Sequence, residues 1–148
     1  MAITQGMANS FKVQLLSGTQ NFNSDTFKLA LYTSSAVLGE GSTAYTASGE
    51  CPSTGNYTAG GNTVTNGTSP SSTNASATAG VGYWTPSANL SWANLTQSTA
   101  FDTVLLYNNT NSNRAVSVHT FGSQTITAGT FTLTMPSNAA GTALLNIA

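Results

Sequence analysis

The sequence predicts an all-β chain, an antiparallel β-sandwich of jelly-roll-like type with seven to eight short strands. Apolar residues alternate with polar ones in several short runs, and threonines fill the alternate positions. Asn, Ser, Thr and Gly separate these runs, as is typical of strands joined by turns. The length fits one domain, so we assign residues 1–148 to a single β-sandwich.

Residues 1–20 are predicted to form an N-terminal arm or a short helix. Phe11 is followed four residues later by another apolar side chain. Asn9 or Ser10 could cap the helix start, and Gly18 could end it in the left-handed conformation. A strand is the alternative, because apolar residues of this segment also alternate.

The first long strand is predicted at 26–33. Phe27, Leu29 and Leu31 recur at every second position and would share one face of the strand.

Residues 34–82 are predicted to be a long polar loop region, rich in Ser, Thr, Gly and Asn. One short strand around Val64 is expected after the Gly60-Gly61 turn. The stretch 67–80 has few large apolar side chains, so we expect a long loop or an arm that buries little.

The C-terminal half is predicted to be a series of strands. An Asn-rich turn at 108–113 separates two of them, because Asn tolerates a positive φ. Pro136 should end another. The strands are centred on Trp92, Leu105, Val118, Ile126, Leu133 and Ile147.

The composition excludes several classes of protein. Charged residues make up 5% of the chain, against roughly 25% in an ordinary domain. Three Lys and Arg cannot neutralise many phosphates, so no nucleic-acid partner is expected. The longest apolar run, at 104–107, is too short for a membrane span. The N-terminal residues lack the basic and apolar parts of a signal peptide, so none is expected.

No catalytic residue is predicted. Ser-His-Asp chemistry would have to use His119, the only histidine, which the strand pattern places beside Ser117 and Phe121. The sequence has no Gly-x-Ser-x-Gly motif. We therefore interpret His119 as an ordinary strand residue.

No metal site is predicted either. Glu40 and Glu50 lie in the polar loop region, and we expect both to be solvated rather than paired in a hydrolase cleft. Residues 21–25 faintly resemble the start of a calcium loop, but Asp25 is their only charge and no downstream Glu follows at the required spacing. A turn before the first long strand is the better interpretation, and zinc lacks ligands.

The remaining candidate groups are interpreted as structural, and no cofactor is predicted. Cys51 is the only cysteine, and we expect it to be unpaired. Tyr83, Trp84 and Trp92 could form a sugar-stacking platform, but core or subunit-interface positions are favoured. The glycines at 80–82 lack the spacing of a dinucleotide-binding loop.

The scarcity of charge favours a subunit of a permanent assembly. Protein interfaces are depleted in Lys, Glu and Asp, whereas a soluble monomer usually keeps itself dispersed by net charge. Strand edges with few charges also pair with other chains unless they are protected. We expect the N-terminal segment or the 34–82 region to meet a neighbouring chain.

Several segments resemble a family of small virion structural proteins of tailed bacteriophages. The stretch 67–80 and Cys51 depart from the family pattern. The matching segments are MANSFK at 7–12, DTFKLALYTSSA at 25–36, YTAGGN at 57–62 and LNIA at 145–148, with shorter ones at 106–108, 114–116 and 121–122.

The resemblance implies a capsid decoration (cement) protein, a non-enzymatic β-sandwich on the outside of the phage head. Its implied partners are the major capsid protein and copies of itself, in a homotrimer, and it would be made in the host cytoplasm. The alternative is a tail or fibre accessory module that holds a host glycan through Trp84, Trp92 or the polar loop. A small hydrolase using His119 is the third option.

Overall fold

The computed structural model describes residues 3–73 and 80–148. The predicted segments 1–20 and 67–80 therefore extend into residues 1–2 and 74–79, which lie outside the described part of the chain. The elements are β1 (Gly6–Met7), α1 (Asn9–Leu16), β2 (Phe27–Thr33), β3 (Asn62–Thr63), β4 (Ser71–Ser72), β5 (Gly82–Trp84), β6 (Leu90–Asn108), β7 (Arg114–Leu133) and β8 (Leu145–Ile147).

The strands form two antiparallel sheets, which confirms the predicted all-β, sandwich-like class. The larger sheet has the strand order β1-β7-β6-β2-β3, and the smaller has the order β4-β5-β8. The smaller sheet packs on the larger through Trp84 of β5, whose ring lies 4.7 Å from Phe22 and 5.8 Å from Phe27. Phe11 of α1 joins this cluster edge-on to Phe22, so the N-terminal helix is part of the core.

Strand β2 is buried on both faces, whereas the alternation of its large residues had predicted one buried face. Phe27 contacts the smaller sheet's Trp84, while Ala30 and Tyr32 on the opposite face are also inaccessible. β2 pairs with β6 on one side and β3 on the other, so it has no free edge. The 34–82 region covers its second face: the Tyr32 hydroxyl donates to the Thr46 carbonyl. The loop around Thr46 therefore covers this face of β2, while residues 67–73 contribute no buried side chain.

Helix α1 confirms the predicted short helix, but its start is stabilised differently. Ala8 occupies the N-cap position and makes no side-chain cap, so neither Asn9 nor Ser10 caps the helix. The N–H of Asn9 instead donates to the Glu40 carbonyl of the polar loop. The helix is thus capped by tertiary contact, and Gly18 follows it with a φ of +70°, as expected.

The strands predicted separately around Trp92, Leu105, Val118, Ile126 and Leu133 form one long hairpin. β6 and β7 span 19 and 20 residues, and the predicted Asn-rich turn joins them. Register shifts interrupt their pairing at several points. Asn94 has a φ of 51° and Ala128 a φ of 46°, in the left-handed region that such bulges use.

The bulges bend the hairpin back on itself. Phe121 and Phe131 lie ten residues apart on β7, a separation of about 33 Å in a straight strand, yet their ring centroids are 5.4 Å apart. Phe131 also lies 5.1 Å from Phe101 and 5.8 Å from Trp92. The outer half of the hairpin, which is farther from the turn and contains Trp92 and Phe131, therefore packs on the inner half. These aromatic rings, with those of Phe101 and Phe121, make the contact.

Replacing Phe131 with Ala should release this bend. We expect the free energy of unfolding to fall by about 2–3 kcal/mol, since a half-buried ring is lost, in urea titrations followed by tryptophan fluorescence. Thr130→Ala, at the exposed neighbouring position, should change stability by less than about 0.5 kcal/mol. Equal effects of the two substitutions would mean that the ring contacts do not hold the bend.

Candidate assembly surface

Four large apolar side chains remain exposed in the described part of the chain, and three of them line two depressions that share Glu40. Among the described residues they are Val13, Leu16, Val37 and Ile147, with Leu16 91% exposed. Val13 and Leu16 lie one helical turn apart on α1, so they share a face of the helix. The four-residue spacing that begins at Phe11 predicted a helix, but it did not indicate that these two side chains are exposed.

Two depressions lie beside these residues and share one carboxylate. The first, of about 650 Å³, is lined by Leu16, Ile147, Lys12 and Glu40 among others. The second, of about 670 Å³, is lined by Val37 and also by Glu40. We call this surface the α1 face and define it by Lys12, Leu16, Val37, Glu40 and Ile147.

The α1 face carries one charge of each sign, and the fold positions both. Glu40 lies beside Gly6 of β1, where a Cβ would come within 2.9 Å of the Glu40 Cγ, so the stem of the glutamate packs closely against the glycine. Lys12 Nζ contacts the amide oxygen of Asn9 at 3.2 Å. Among the side-chain hydrogen bonds of residues 3–73 and 80–148, none joins Lys12 or Glu40 to a charged group.

Glu50 is not the solvated residue that its polar surroundings had predicted. Its carboxylate accepts hydrogen bonds from the hydroxyls of Tyr45 at 2.5 Å and Tyr57 at 2.7 Å, and from the N–H of Gly60 at 2.6 Å. The Tyr57 hydroxyl in turn accepts the N–H of Leu31 on β2. Glu50 therefore fastens the polar loop to the central strand.

The tyrosines around Glu50 stay protonated as hydrogen-bond donors. Burial, with the Glu50 charge as the second cause, raises the pKa of Tyr107 to about 12. Burial and the hydrogen bond to Glu50 likewise raise the pKa values of Tyr45 and Tyr57. Glu40 takes part in none of these hydrogen bonds.

Asp25 lies in a turn before β2, as predicted. Its Oδ2 accepts hydrogen bonds from the side-chain amides of Asn108 and Asn111, at 2.7 and 2.8 Å, and from the N–H of Asn21 at 3.0 Å. Three N–H donors thus surround this oxygen, which acts as a hydrogen-bond acceptor and not as a cation ligand. No group of three His, Cys, Asp or Glu side chains suited to a metal ion occurs in residues 3–73 and 80–148.

Ser117 and His119 lie together on β7, as the alternation predicted. Ser117 Oγ and His119 Nε2 are 2.8 Å apart beside a cleft of about 450 Å³. Burial lowers the pKa of His119 to about 4, so the ring is neutral at pH 7 but is a weak base. Ser117 is 2% exposed, which leaves its hydroxyl poorly placed to attack a substrate.

Most of the other candidate groups are in the core. Trp84 and Trp92 are both buried, which confirms the core interpretation for these two and leaves neither ring free to stack on a sugar, whereas Tyr83 on β5 is half-buried. Cys51 is buried and unpaired, and burial raises its thiol pKa to about 12. In the part of the chain that the structure describes, no helix has the length and apolar character needed to cross a bilayer.

Glu50→Gln tests whether this carboxylate holds the polar loop. The neutral amide offers one acceptor where the carboxylate serves three donors, so we expect the free energy of unfolding to fall by roughly 2 kcal/mol. Glu40→Gln is the matched control, because no described residue donates a hydrogen bond to the Glu40 side chain; it should be nearly neutral in dilute solution. Similar losses in both variants would contradict this role of Glu50.

The pH dependence of stability tests the environment of His119. The unfolded chain binds a proton at His119 near pH 6.5, whereas the folded chain binds it near pH 4. Stability should therefore fall as the pH drops from about 6.5 toward 4. In His119→Gln this part of the pH dependence should be absent from urea unfolding measured between pH 7 and 4.5. Parallel curves for the two proteins would contradict it.

Comparison with protein-family models, with curated proteins and with solved structures found no match for this chain.

Proposed function

We propose that this chain is a structural subunit of a tailed-bacteriophage virion, a capsid decoration (cement) protein that binds the outside of the head. The observation that carries the proposal is the α1 face. In a chain with 5% charged residues, three of the four exposed large apolar side chains of the described part lie on this face. Such a patch is typical of a surface that another protein covers.

The position of the α1 face agrees with the sequence resemblance. MANSFK at 7–12, LNIA at 145–148 and the segment ending at Ala36 are among the stretches that resemble the phage family. The first two contribute Lys12 and Ile147 to the face, and Val37 directly follows the third. Both the N-terminal segment and the 34–82 region thus contribute to one candidate interface.

The proposed mechanism is multivalent. Each copy would contact shell subunits and further copies of itself, in the trimer that the resemblance implies. Once one contact forms, the others take place at a high effective concentration, so weak contacts together hold neighbouring capsomers. In this role the protein strengthens the shell against the pressure of the packaged DNA and catalyses no reaction.

The fold supports such a passive role. Glu50 and Asp25, two of the four carboxylates, are engaged in hydrogen bonds that hold loops. Ser117 and His119 form a pair, but the serine is buried and the histidine is a weak base. A tail module that stacks sugars on Trp84 or Trp92 is less well supported, because both rings are in the core.

Binding to heads tests the proposal. Heads of the phage that encodes this chain, assembled without it, should bind the added protein over their whole surface and retain DNA to a higher temperature. Electron cryo-microscopy gives its position and copy number, and dye fluorescence reports DNA release. His119→Gln should bind and protect equally well.

Two results would count against the proposal. Density confined to the tail, in few copies per particle, would favour the accessory-module alternative. Loss of protection in His119→Gln, with binding intact, would indicate that the histidine has a chemical role.

A further inference from the structure

We infer that the α1 face binds the same face of a second copy across a two-fold axis, with Lys12 of each copy beside Glu40 of the other. The inference deepens the proposed function, on which it rests, because it adds a two-fold contact between copies to the contacts within the trimer.

The charges of the face fit a copy of itself. A two-fold contact brings the patch of one copy against the same patch of the other. A charged residue therefore meets an opposite charge only if the patch carries both signs of charge. The chain has only seven charged side chains, and the α1 face holds one of each sign. A face with a single sign of charge would repel its own copy.

Glu40 is distinguished from the other carboxylates by having no partner. Asp25 and Glu50 accept several hydrogen bonds each, and Asp102 accepts one from Thr103. The Glu40 side chain accepts none from residues 3–73 and 80–148, and it is held over Gly6 at the edge of both depressions. A cation from outside the chain can therefore reach it without displacing a bond.

Lys12 is free in the same way. Its ammonium group contacts only the neutral amide of Asn9 on its own helix. Leu16 lies four residues further along α1, so the cation and the exposed apolar side chain stand on one side of the helix. The charged pair would thus form at the rim of an apolar contact, where it sets orientation.

The apolar part of the face has a shape that a second copy can fill. Leu16 projects with 91% of its surface exposed, beside a depression of about 650 Å³ that Ile147 and Leu15 also line. In a two-fold arrangement each Leu16 can enter the depression of the other copy. This contact uses one surface only, so other surfaces stay available for the trimer and for the shell.

Charge reversal tests the arrangement directly. The wild-type protein, measured by sedimentation and light scattering over a concentration series, should form an even-numbered assembly. Lys12→Glu and Glu40→Lys should each weaken this association by about tenfold or more, since each places two like-charged pairs in the contact. The variant with both substitutions should regain the wild-type association, because every pair is then opposite in charge again.

Two further variants separate the contact from general effects. Leu16→Ser should weaken association, and its urea transition when dissociated should match that of the wild-type monomer, because the side chain is exposed. Thr130→Glu adds a negative charge at an exposed position of β7 and should leave association unchanged.

Three results would overturn the inference: a wild-type protein that stays monomeric at the highest concentration, a failure of the double reversal to restore association, or indifference of association to Lys12→Glu. Head binding by such a protein would leave the proposed function standing. Conversely, two-fold association without any affinity for heads would retain the inference about the α1 face and remove the proposed function.

Discussion

The fold depends on how the β6–β7 hairpin buries its aromatic side chains. A hairpin of two strands with 19 and 20 residues is too long to lie flat on so small a core. Bulges let it bend, so that Phe131 returns to Phe121 and Phe101 instead of standing in solvent. The part of β7 beyond Phe121 contains no charged residue. Charged side chains therefore could not keep this part solvated if it extended away from the rest of the fold. Packing of the two halves adds to the contact that the smaller sheet makes through Trp84.

Scarce charges in this chain hold loops in place. Glu50 gathers the hydroxyls of Tyr45 and Tyr57 and so fastens the polar loop to β2. Asp25 does the same for the turn between β6 and β7, through the amides of Asn108 and Asn111. A buried carboxylate is costly unless donors surround it, and in each case hydroxyl, amide or backbone N–H groups supply them. These networks position the loop that carries Glu40, and through it one side of the α1 face.

The sequence predicted the parts of the structure that follow from local periodicity. Alternation located β2, the halves of the hairpin and β8, because side chains of a strand point to opposite sides at every step. Alternation could not show that neighbouring runs form one strand, since a bulge at Ala128 depends on a positive φ that alanine rarely adopts. The role of Glu50 was also missed, because its partners approach it only after the loop has folded. The exposure of Leu16 was not predicted either, because an eight-residue helix has too few turns to define a polar face.

The α1 face connects composition with assembly. A chain that avoids charge can expose polar, uncharged surface almost everywhere, as the threonines of the hairpin do, but such a surface gives little orientation to a partner. One cation and one anion set among apolar side chains supply that orientation, because opposite charges attract in only one register and like charges repel in the others. Lys12 and Glu40 are free for this purpose only because other groups hold the loops: backbone hydrogen bonds start α1, and Glu50 fastens the polar loop. The few charges are thus divided between folding and, in the contact that we propose, recognition of a second copy by the α1 face.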